Sequence, residues 1–330
     1  MILATLDNGS RDGELLVVDR ERRRAVSAKD VVPTLQAALD DWDACAGDLQ
    51  ALSDALNAGR VAQAFDLARV KLVAPLPRPF AFYDTAAYPE HISVIRQARG
   101  ATLPADFHER PLMYQSVAAP MMAPDAPIVV DDDASLGVDL EAEIVAIVSD
   151  VAPGTTADEA AGKIRLLGLI NDVSLRHLVA PELARGFGFL QSKPESAMGP
   201  FVVTPDELGP LWNGRMFTGG SYRIHVRGQW LGDLDPGQDV IFDYAQLVAY
   251  AARTRHIVAG SLFAAGTLAN KDRRHGSGCI AEQRAREQIT EGAPRTELLR
   301  FGDEVHLEMF DAEGRSVFGA IRQRLQRRTG

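Results

Sequence analysis

The stretch Asp139-Leu-Glu-Ala-Glu-Ile-Val-Ala-Ile-Val148 decides how this chain is read. From Ile144 to Val148 it is wholly apolar, as a strand buried in a sheet would be. Glu141 and Glu143 stand two positions apart just before that run. On a strand alternate side chains share a face, so the two carboxylates would lie roughly 6.5–7 Å apart at Cα, given a rise near 3.3 Å per residue. Val145 and Ile147 continue the same face, which argues that it turns inward. Two acids so placed repel each other, and a hard divalent cation taking oxygen ligands is the economical way to neutralise them. A solvated face on an edge strand is the plainer alternative.

Working outward, Ile164 to Asn171 reads as a second buried strand, and Thr156-Ala-Asp-Glu159 between the two is a capping box that opens a short helix. The second strand runs into Asn171-Asp172-Val-Ser-Leu-Arg176. There an acid and, four residues on, an arginine could supply one more oxygen ligand and one anion-binding fork, although Asn-Asp is also ordinary turn chemistry. Gln191-Ser-Lys193-Pro brings a cation into the glycine-rich region between 186 and 199, where a surface lysine is the bland reading. Further on, Tyr222 to Trp230 forms a hairpin across Gly228-Gln229, Phe242 to Arg253 is helical, and Ser261 to Leu268 returns to strand. The tail is again β, from Val305 to Met309 and, across a turn with Gly314, from Val317 onward.

At the other end, Ile2 to Leu6 and Glu14 to Val18 alternate as short strands about Asn8-Gly9, and helical spacing follows over 34–42 and 49–57, with Gly59 as the stop. Pro75, Pro77 and Pro79 then break both patterns. The expected organisation is a small N-terminal domain, 1–77, and a large domain, 78–330. The fold class is α+β, predominantly β.

Composition excludes several functions. The chain has 330 residues, 35 Lys+Arg against 45 Asp+Glu, and a formal charge of −10 with its cations scattered, so there is no electrostatic footprint for nucleic acid. No basic segment precedes an apolar one at the start, and the mature chain is expected to begin at Met1. The longest uncharged stretch, 256–270, is 15 residues with two glycines, short of the roughly 20 a membrane helix needs. Cys45 and Cys279 lie far apart in sequence and read as inert thiols of a reducing cytoplasm.

Among the histidines, His91 stands out: it follows Asp84 by seven residues, between Tyr83 and Tyr88 on one side and an ordered segment on the other. The glycines of Gly266-Thr267 and Gly276-Ser-Gly278 lead into an ordered element with Glu282 near its start. Neither the third glycine of a dinucleotide fingerprint nor the Lys-Ser/Thr of a phosphate loop is present, and Gly-x-Ser-x-Gly is absent too.

Taken in order, Leu140-Glu-Ala-Glu-Ile144, Ile170-Asn-Asp-Val-Ser-Leu-Arg176, Gln191-Ser-Lys-Pro, Ala265-Gly-Thr-Leu-Ala-Asn-Lys-Asp272, Gly278-Cys-Ile-Ala-Glu282 and Gly302-Asp-Glu-Val resemble the fumarylacetoacetate hydrolase family, over roughly residues 78 to 325. The resemblance implies a mixed β-roll catalytic domain, here with a small SH3-like or barrel-like N-terminal domain of the kind some bacterial members carry. It implies a divalent metal, Mg²⁺ foremost with Ca²⁺ or Mn²⁺ as alternatives, held by Asp84, Glu141, Glu143 and Asp172. His91 oriented by Glu282 would be the catalytic dyad, with Lys193 beside it, and Tyr114, Arg176 and Thr267 match substrate contacts. Val179 stands where the animal enzymes have a glutamine, which points to a different treatment of the far end of the substrate. The implied reaction is hydrolysis of a carbon–carbon bond in fumarylacetoacetate-like or acylpyruvate substrates, in the breakdown of aromatic compounds, by a cytoplasmic homodimer acting on a small oxo acid. A hydratase, decarboxylase or isomerase of 2-oxo-4-enoates would use the same scaffold, and a non-enzymatic metal-dependent binding module is the reading from another class.

Overall fold

In the computed structural model, which describes residues 1–329, the central strand runs Ala142–Val148 and every residue in it is buried. It is covered on both sides: Ala142, Ile144, Ala146 and Val148 join one apolar cluster, Val145 and Ile147 a second. That double burial is why the run lacks a polar alternation. Burying each of its valine and isoleucine side chains contributes about 1.5–3 kcal/mol.

The strand expected to start at Asp139 is broken. Val138–Asp139 pairs instead with Ser174–Leu175 as a separate two-stranded ladder, and Leu140 and Glu141 link it to the central strand. Side chains take over the amides that a continuous ladder would have used. Asp139 Oδ1 accepts from Leu140 N–H at 2.8 Å, and Asn171 Oδ1 from Glu141 N–H at 3.2 Å. Glu141 therefore occupies an irregular link, and only Glu143 sits in a strand.

Ile164–Asn171 and Ser261–Ala264 flank the central strand, both antiparallel to it. Beyond Ser261–Ala264 lie Phe82–Thr85, parallel, and then Met113–Ser116. On the other side come Ala197–Val203 and the N-terminal strands Ile2–Leu6, Glu14–Val18, Arg24–Ser27 and Phe65–Asp66, with Leu72–Val73 also paired to Ile2–Leu6, eleven strands in all. Because Ile2 pairs with Val203 and Leu3 with Val202, the N-terminal strands extend the large sheet. They do not curl into the barrel-like unit expected for 1–77, and no closed barrel occurs among the described residues. Pairing with Ile2–Leu6 satisfies the open edge of Ala197–Val203. Helices Leu35–Asp40 and Trp42–Asn57 cover one face of this sheet, placing Leu35, Leu39, Trp42, Leu49 and Leu56 in the cluster of Val145 and Ile147.

A second sheet of five strands, in the order Gln229–Leu234, Ser221–Val226, Glu304–Phe310, Ser316–Arg327 and Ile128–Val130, packs on the opposite face. Buried tyrosines tie the layers, each finding an acceptor for its hydroxyl: Tyr222 donates to Ile170 O at 3.2 Å and Tyr244 to Ile144 O at 2.8 Å. The fold is thus α+β and mostly sheet. The hairpin turns at Arg227-Gly228, both with positive φ, one residue earlier than expected. The strand expected over 261–268 stops at Ala264. Two helices, Pro89–Ala98 and Arg176–Arg185, stand where the sequence reading placed none. Cys45 is half-buried, Cys279 buried, and both are free thiols. Among the described residues no helix is long and apolar enough to cross a membrane.

Candidate active site

Four acids arrive from three strands of the large sheet, with Ser261–Ala264 standing between the central strand and that of Asp84. Asp84 lies in Phe82–Thr85, Glu141 and Glu143 at the start of the central strand, and Asp172 just past Ile164–Asn171. Each is buried, and one carboxylate oxygen from each falls within 4.8 Å of the others. Lys193, carried on the loop after helix Arg176–Arg185, places Nζ 2.5 Å from Glu141 Oε2, 2.5 Å from Asp172 Oδ2 and 3.9 Å from Asp84 Oδ2. Ser196 Oγ donates to Asp172 Oδ1 at 2.5 Å, Thr267 Oγ1 to Glu143 Oε1 at 3.3 Å, and the Tyr114 hydroxyl to Asp84 Oδ2 from the neighbouring strand.

Arg176 Nε bonds Asp139 Oδ2 at 2.7 Å, and Nη2 lies 2.8 Å from Glu141 Oε1, near enough for ion pairing though misaligned for a hydrogen bond. Burial works against ionising Glu141, yet Lys193 and Arg176 hold its carboxyl well below the usual range. Asp84 goes the other way: burial, reinforced by the charges of Asp172 and Glu141 and opposed by Lys193, pushes it up to about 8. Burial and the neighbouring carboxylates likewise raise Glu143 well above its ordinary value. Within one cluster, then, the acid closest to the cations is held ionised while two others favour a proton.

Asp84 Oδ1 and Glu143 Oε2 are buried without any hydrogen-bond partner. An unpartnered buried carboxylate oxygen is costly, and both belong to the two acids whose charge is least compensated. An all-oxygen donor set with two oxygens unspent fits a hard divalent cation.

The second half of the site comes from two helices. His91 is in the first turn of Pro89–Ala98 and Glu282 in the first turn of Ile280–Glu291. His91 Nδ1 is 3.1 Å from Glu282 Oε2, while Glu282 Oε1 accepts from Arg286 Nη2 at 2.8 Å and Nε at 3.1 Å, so both carboxylate oxygens are engaged. His91 and Glu141 also offer donor atoms within 4.8 Å of each other, so the histidine stands against the acid cluster.

These groups share a cavity of about 590 Å³. Asp84, His91, Glu141, Glu143 and Lys193 line its polar end, with Tyr114, Arg176 and Thr267 beside them, and Ile92, Ile95, Leu112, Val179 and Phe189 form apolar walls. Asp172 and Glu282 stand behind the lining, held by Lys193 and His91. All ten residues singled out from the sequence are thereby brought to one place. Asp139, Ser196 and Arg286 belong to the same network and were not singled out; Asp139 has the same spacing from Glu141 as Glu141 from Glu143, which is the one signal that could have found it. Glu182 is a fourth: its carboxylate accepts from the amides of Leu190, Gln191 and Ser192, pinning the loop that carries Lys193. Desolvation works against its ionisation, yet these hydrogen bonds together with that from Ser192 Oγ hold it down at about 2.

Comparison with known proteins gives two family matches. Residues 81–326 match the model of the fumarylacetoacetate (FAA) hydrolase C-terminal region, and residues 1–78 that of the fumarylacetoacetase N-terminal domain 2. A curated relative, 2,4-didehydro-3-deoxy-L-rhamnonate hydrolase from a Sphingomonas species, is 26% identical over 160 residues, 48% of this chain and 52% of that enzyme, so the match spans about half the length of each. Among solved structures, maleylpyruvate hydrolase from a Sphingobium species, in complex with manganese(II) and pyruvate, has a TM-score of 0.66 at 15% identity, covering all of both chains. A 2-hydroxyhepta-2,4-diene-1,7-dioate isomerase from Mycobacterium marinum has a TM-score of 0.61 at 16% identity, again covering all of both. At such identities the two structures establish a shared fold.

Proposed function

This chain belongs to the fumarylacetoacetate hydrolase family, and from that premise we propose that it is a divalent-metal-dependent hydrolase that cleaves the carbon–carbon bond of fumarylacetoacetate-like or acylpyruvate 1,3-dicarbonyl substrates. The observation that carries the reading is the His91–Glu282 pair standing against the four-acid cluster in one cavity. Asp84, Glu141, Glu143 and Asp172 would hold the cation; an all-oxygen set suits Mg²⁺, Ca²⁺ or Mn²⁺, with Mg²⁺ foremost as the family resemblance implies, and the family fold has also been solved with manganese(II) beside a 2-oxo acid. When bound, such an ion supplies Lewis acidity toward a carbonyl oxygen.

The chain's own groups do the rest. Glu282, fixed by Arg286, holds His91 through Nδ1, leaving the other ring nitrogen to take a proton from water. The water oxygen adds to the carbonyl carbon, and Lys193 and Arg176 balance the negative charge that gathers on oxygen and on the substrate carboxylate. The carbon–carbon bond then breaks with its electron pair going to the departing enolate, and the imidazolium returns the proton to that carbon. Tyr114 and Thr267 line the polar end and orient the substrate, while the apolar walls exclude water from the departing fragment.

The test is a substrate panel: fumarylacetoacetate, fumarylpyruvate and simple acylpyruvates, followed by loss of enol absorbance with Mg²⁺, Mn²⁺ or EDTA. Turnover that needs the metal and releases two acids is expected. Metal-dependent loss of carbon dioxide, addition of water to a double bond or movement of one, without release of two acids, would replace hydrolysis by the decarboxylase, hydratase or isomerase alternative. No reaction with any 1,3-dicarbonyl would sink the hydrolase reading. Convergence of Asp84 and Asp172 with the two glutamates speaks against a mere binding module. Cytoplasmic location and a homodimer remain part of the proposal, the latter checked by sedimentation equilibrium.

A further inference from the structure

Asp139 is fully buried and carries no direct contact with the cavity, yet its carboxylate receives four donors. Oδ1 accepts from the amides of Leu140 at 2.8 Å and Ile280 at 2.9 Å; Oδ2 accepts from the amide of Ala281 at 2.9 Å and from Arg176 Nε at 2.7 Å. Ile280 and Ala281 are the first two residues of the helix that bears Glu282, and their amides have no carbonyl to bind within that helix. Arg176 in turn reaches Glu141, and the backbone of Asp139 is paired to Ser174, two residues past Asp172. One carboxylate thus joins the helix of the dyad to the acid cluster, while its own chain runs directly into Glu141.

We propose that Asp139 is the positioning residue that sets the His91–Glu282 dyad in register with the carboxylate cluster. A cap from Cys279 already serves the third amide of the helix, since Cys279 Sγ accepts from Glu282 N–H at 3.3 Å. What Asp139 adds is a fixed distance to Arg176 and Glu141. Removing it leaves both halves of the site intact and lets them drift. Misplacement of reacting groups by an ångström or so is worth about 100-fold in rate, and partners of ligating side chains typically matter 10- to 100-fold. The inference rests on the dyad reading given above.

Two variants test it. Asp139→Asn keeps the shape and an acceptor for Leu140 and Ile280, but sets an amide donor against Ala281 N–H and Arg176 Nε–H. Ala281→Pro leaves the carboxylate untouched and deletes one amide that binds it, at a place in the first helical turn where proline is tolerated. In the full chain, kcat on the best substrate of the panel should fall about 100-fold for Asp139→Asn and less for Ala281→Pro, with KM and calorimetric Mn²⁺ affinity changing by less than the roughly 10-fold at which a ligand's own partner begins to matter. Independently of activity, ¹⁵N-histidine spectra, with the His91 signal assigned through His91→Gln, should show that signal displaced in both variants while the unfolding midpoint stays measurable. A general loss of stability alone would move the midpoint and leave the His91 signal in place, which would overturn the proposal, as would wild-type kcat in Asp139→Asn. If Asp139→Asn fails to fold, Ala281→Pro decides by the same two readouts. If the native protein turns over none of the panel, the functional reading fails, and the His91 signal still decides the role of Asp139.

Discussion

Among single residues, Glu143 and His91 would separate the two jobs of the proposed site, holding the cation and activating water. Glu143 keeps one buried oxygen without any partner and its other oxygen only 3.3 Å from Thr267 Oγ1, so its carboxylate has few duties besides cation binding. Glu143→Ala is expected to weaken Mg²⁺ binding in titration calorimetry by about two orders of magnitude, as the loss of one charged ligand in four would, and to abolish metal-dependent turnover. Undiminished binding would remove Glu143 from the ligand set. His91 does not belong to that set and is fixed from behind by Glu282. His91→Ala should therefore bind Mg²⁺ as the native chain does while losing about 10²–10⁴ in kcat. Hydrolysis at the native rate in that variant would eliminate the dyad. Arg176 is more constrained than a substrate contact alone, because its guanidinium is divided between Asp139 and Glu141.

For the elements, close approach of backbones governs the geometry of the site. Gly266 has φ +90°, and a Cβ there would stand 2.2 Å from Thr85 O, on the strand of Asp84. The loop bearing Thr267 can lie against that strand only without a side chain at 266. Gly266→Ala is expected to cost about 1–3 kcal/mol, read from urea unfolding, because both the positive φ and the contact are lost, and to lower kcat by shifting Thr267. Unchanged stability and rate would show the loop to be more yielding than this packing implies. The same feature explains why a strand expected to 268 ends at Ala264: the apolar run continues, but the backbone turns to meet Thr85. The buried strands, the two N-terminal helices and the Thr156 capping box were legible because each is written in local spacing and local caps, although the helices expected over 34–42 and 49–57 run Leu35–Asp40 and Trp42–Asn57. The break at Leu140-Glu141 was not, since it depends on Asp139 and on Asn171, thirty residues away. Nor was the helix of His91, although Pro89 at its first position and Glu90 behind it are a start signal that could have been read. Helix Arg176–Arg185 contains Pro181, and an interior proline argues against a helix when read from sequence. Candidate residues were recoverable through family-like motifs, whereas their supporting partners Ser196, Arg286 and Glu182 carry no motif and appear only through packing.

Across the whole molecule, the formal charge of −10 is concentrated in part around one place. Asp84, Asp139, Glu141 and Asp172 share the cations Lys193 and Arg176, and Glu143 lies in the same cluster without an ion pair among the described residues, so five ionised acids would leave three negative charges uncompensated, and a divalent ion would leave one. An anionic substrate is therefore admitted by local cations rather than by the field of the protein as a whole. The imbalance has a consequence for stability whose sign can be worked out. Asp84 is raised to about 8 from an ordinary value of 3.8, and Glu143 is raised as well. Above about pH 4 the folded chain therefore holds protons on these groups that the unfolded chain has lost, and their contribution to stability falls as pH rises, for Asp84 up to about pH 8. Glu141, held low, acts in the opposite sense only below about pH 4.5, where the unfolded carboxyl gains its proton. A cation that binds the cluster competes with the protons on Asp84 and Glu143, so the stabilisation it brings should be small near pH 5 and grow toward pH 8. With free metal at about 100 times its Kd, the increment is about 2.7 kcal/mol. Scanning calorimetry with Mg²⁺ and with EDTA at both pH values isolates this effect, because groups outside the cluster titrate alike in each pair of scans. A metal increment equal at pH 5 and pH 8, or larger at pH 5, would mean that the cation does not displace those protons and that the cluster is not where it binds.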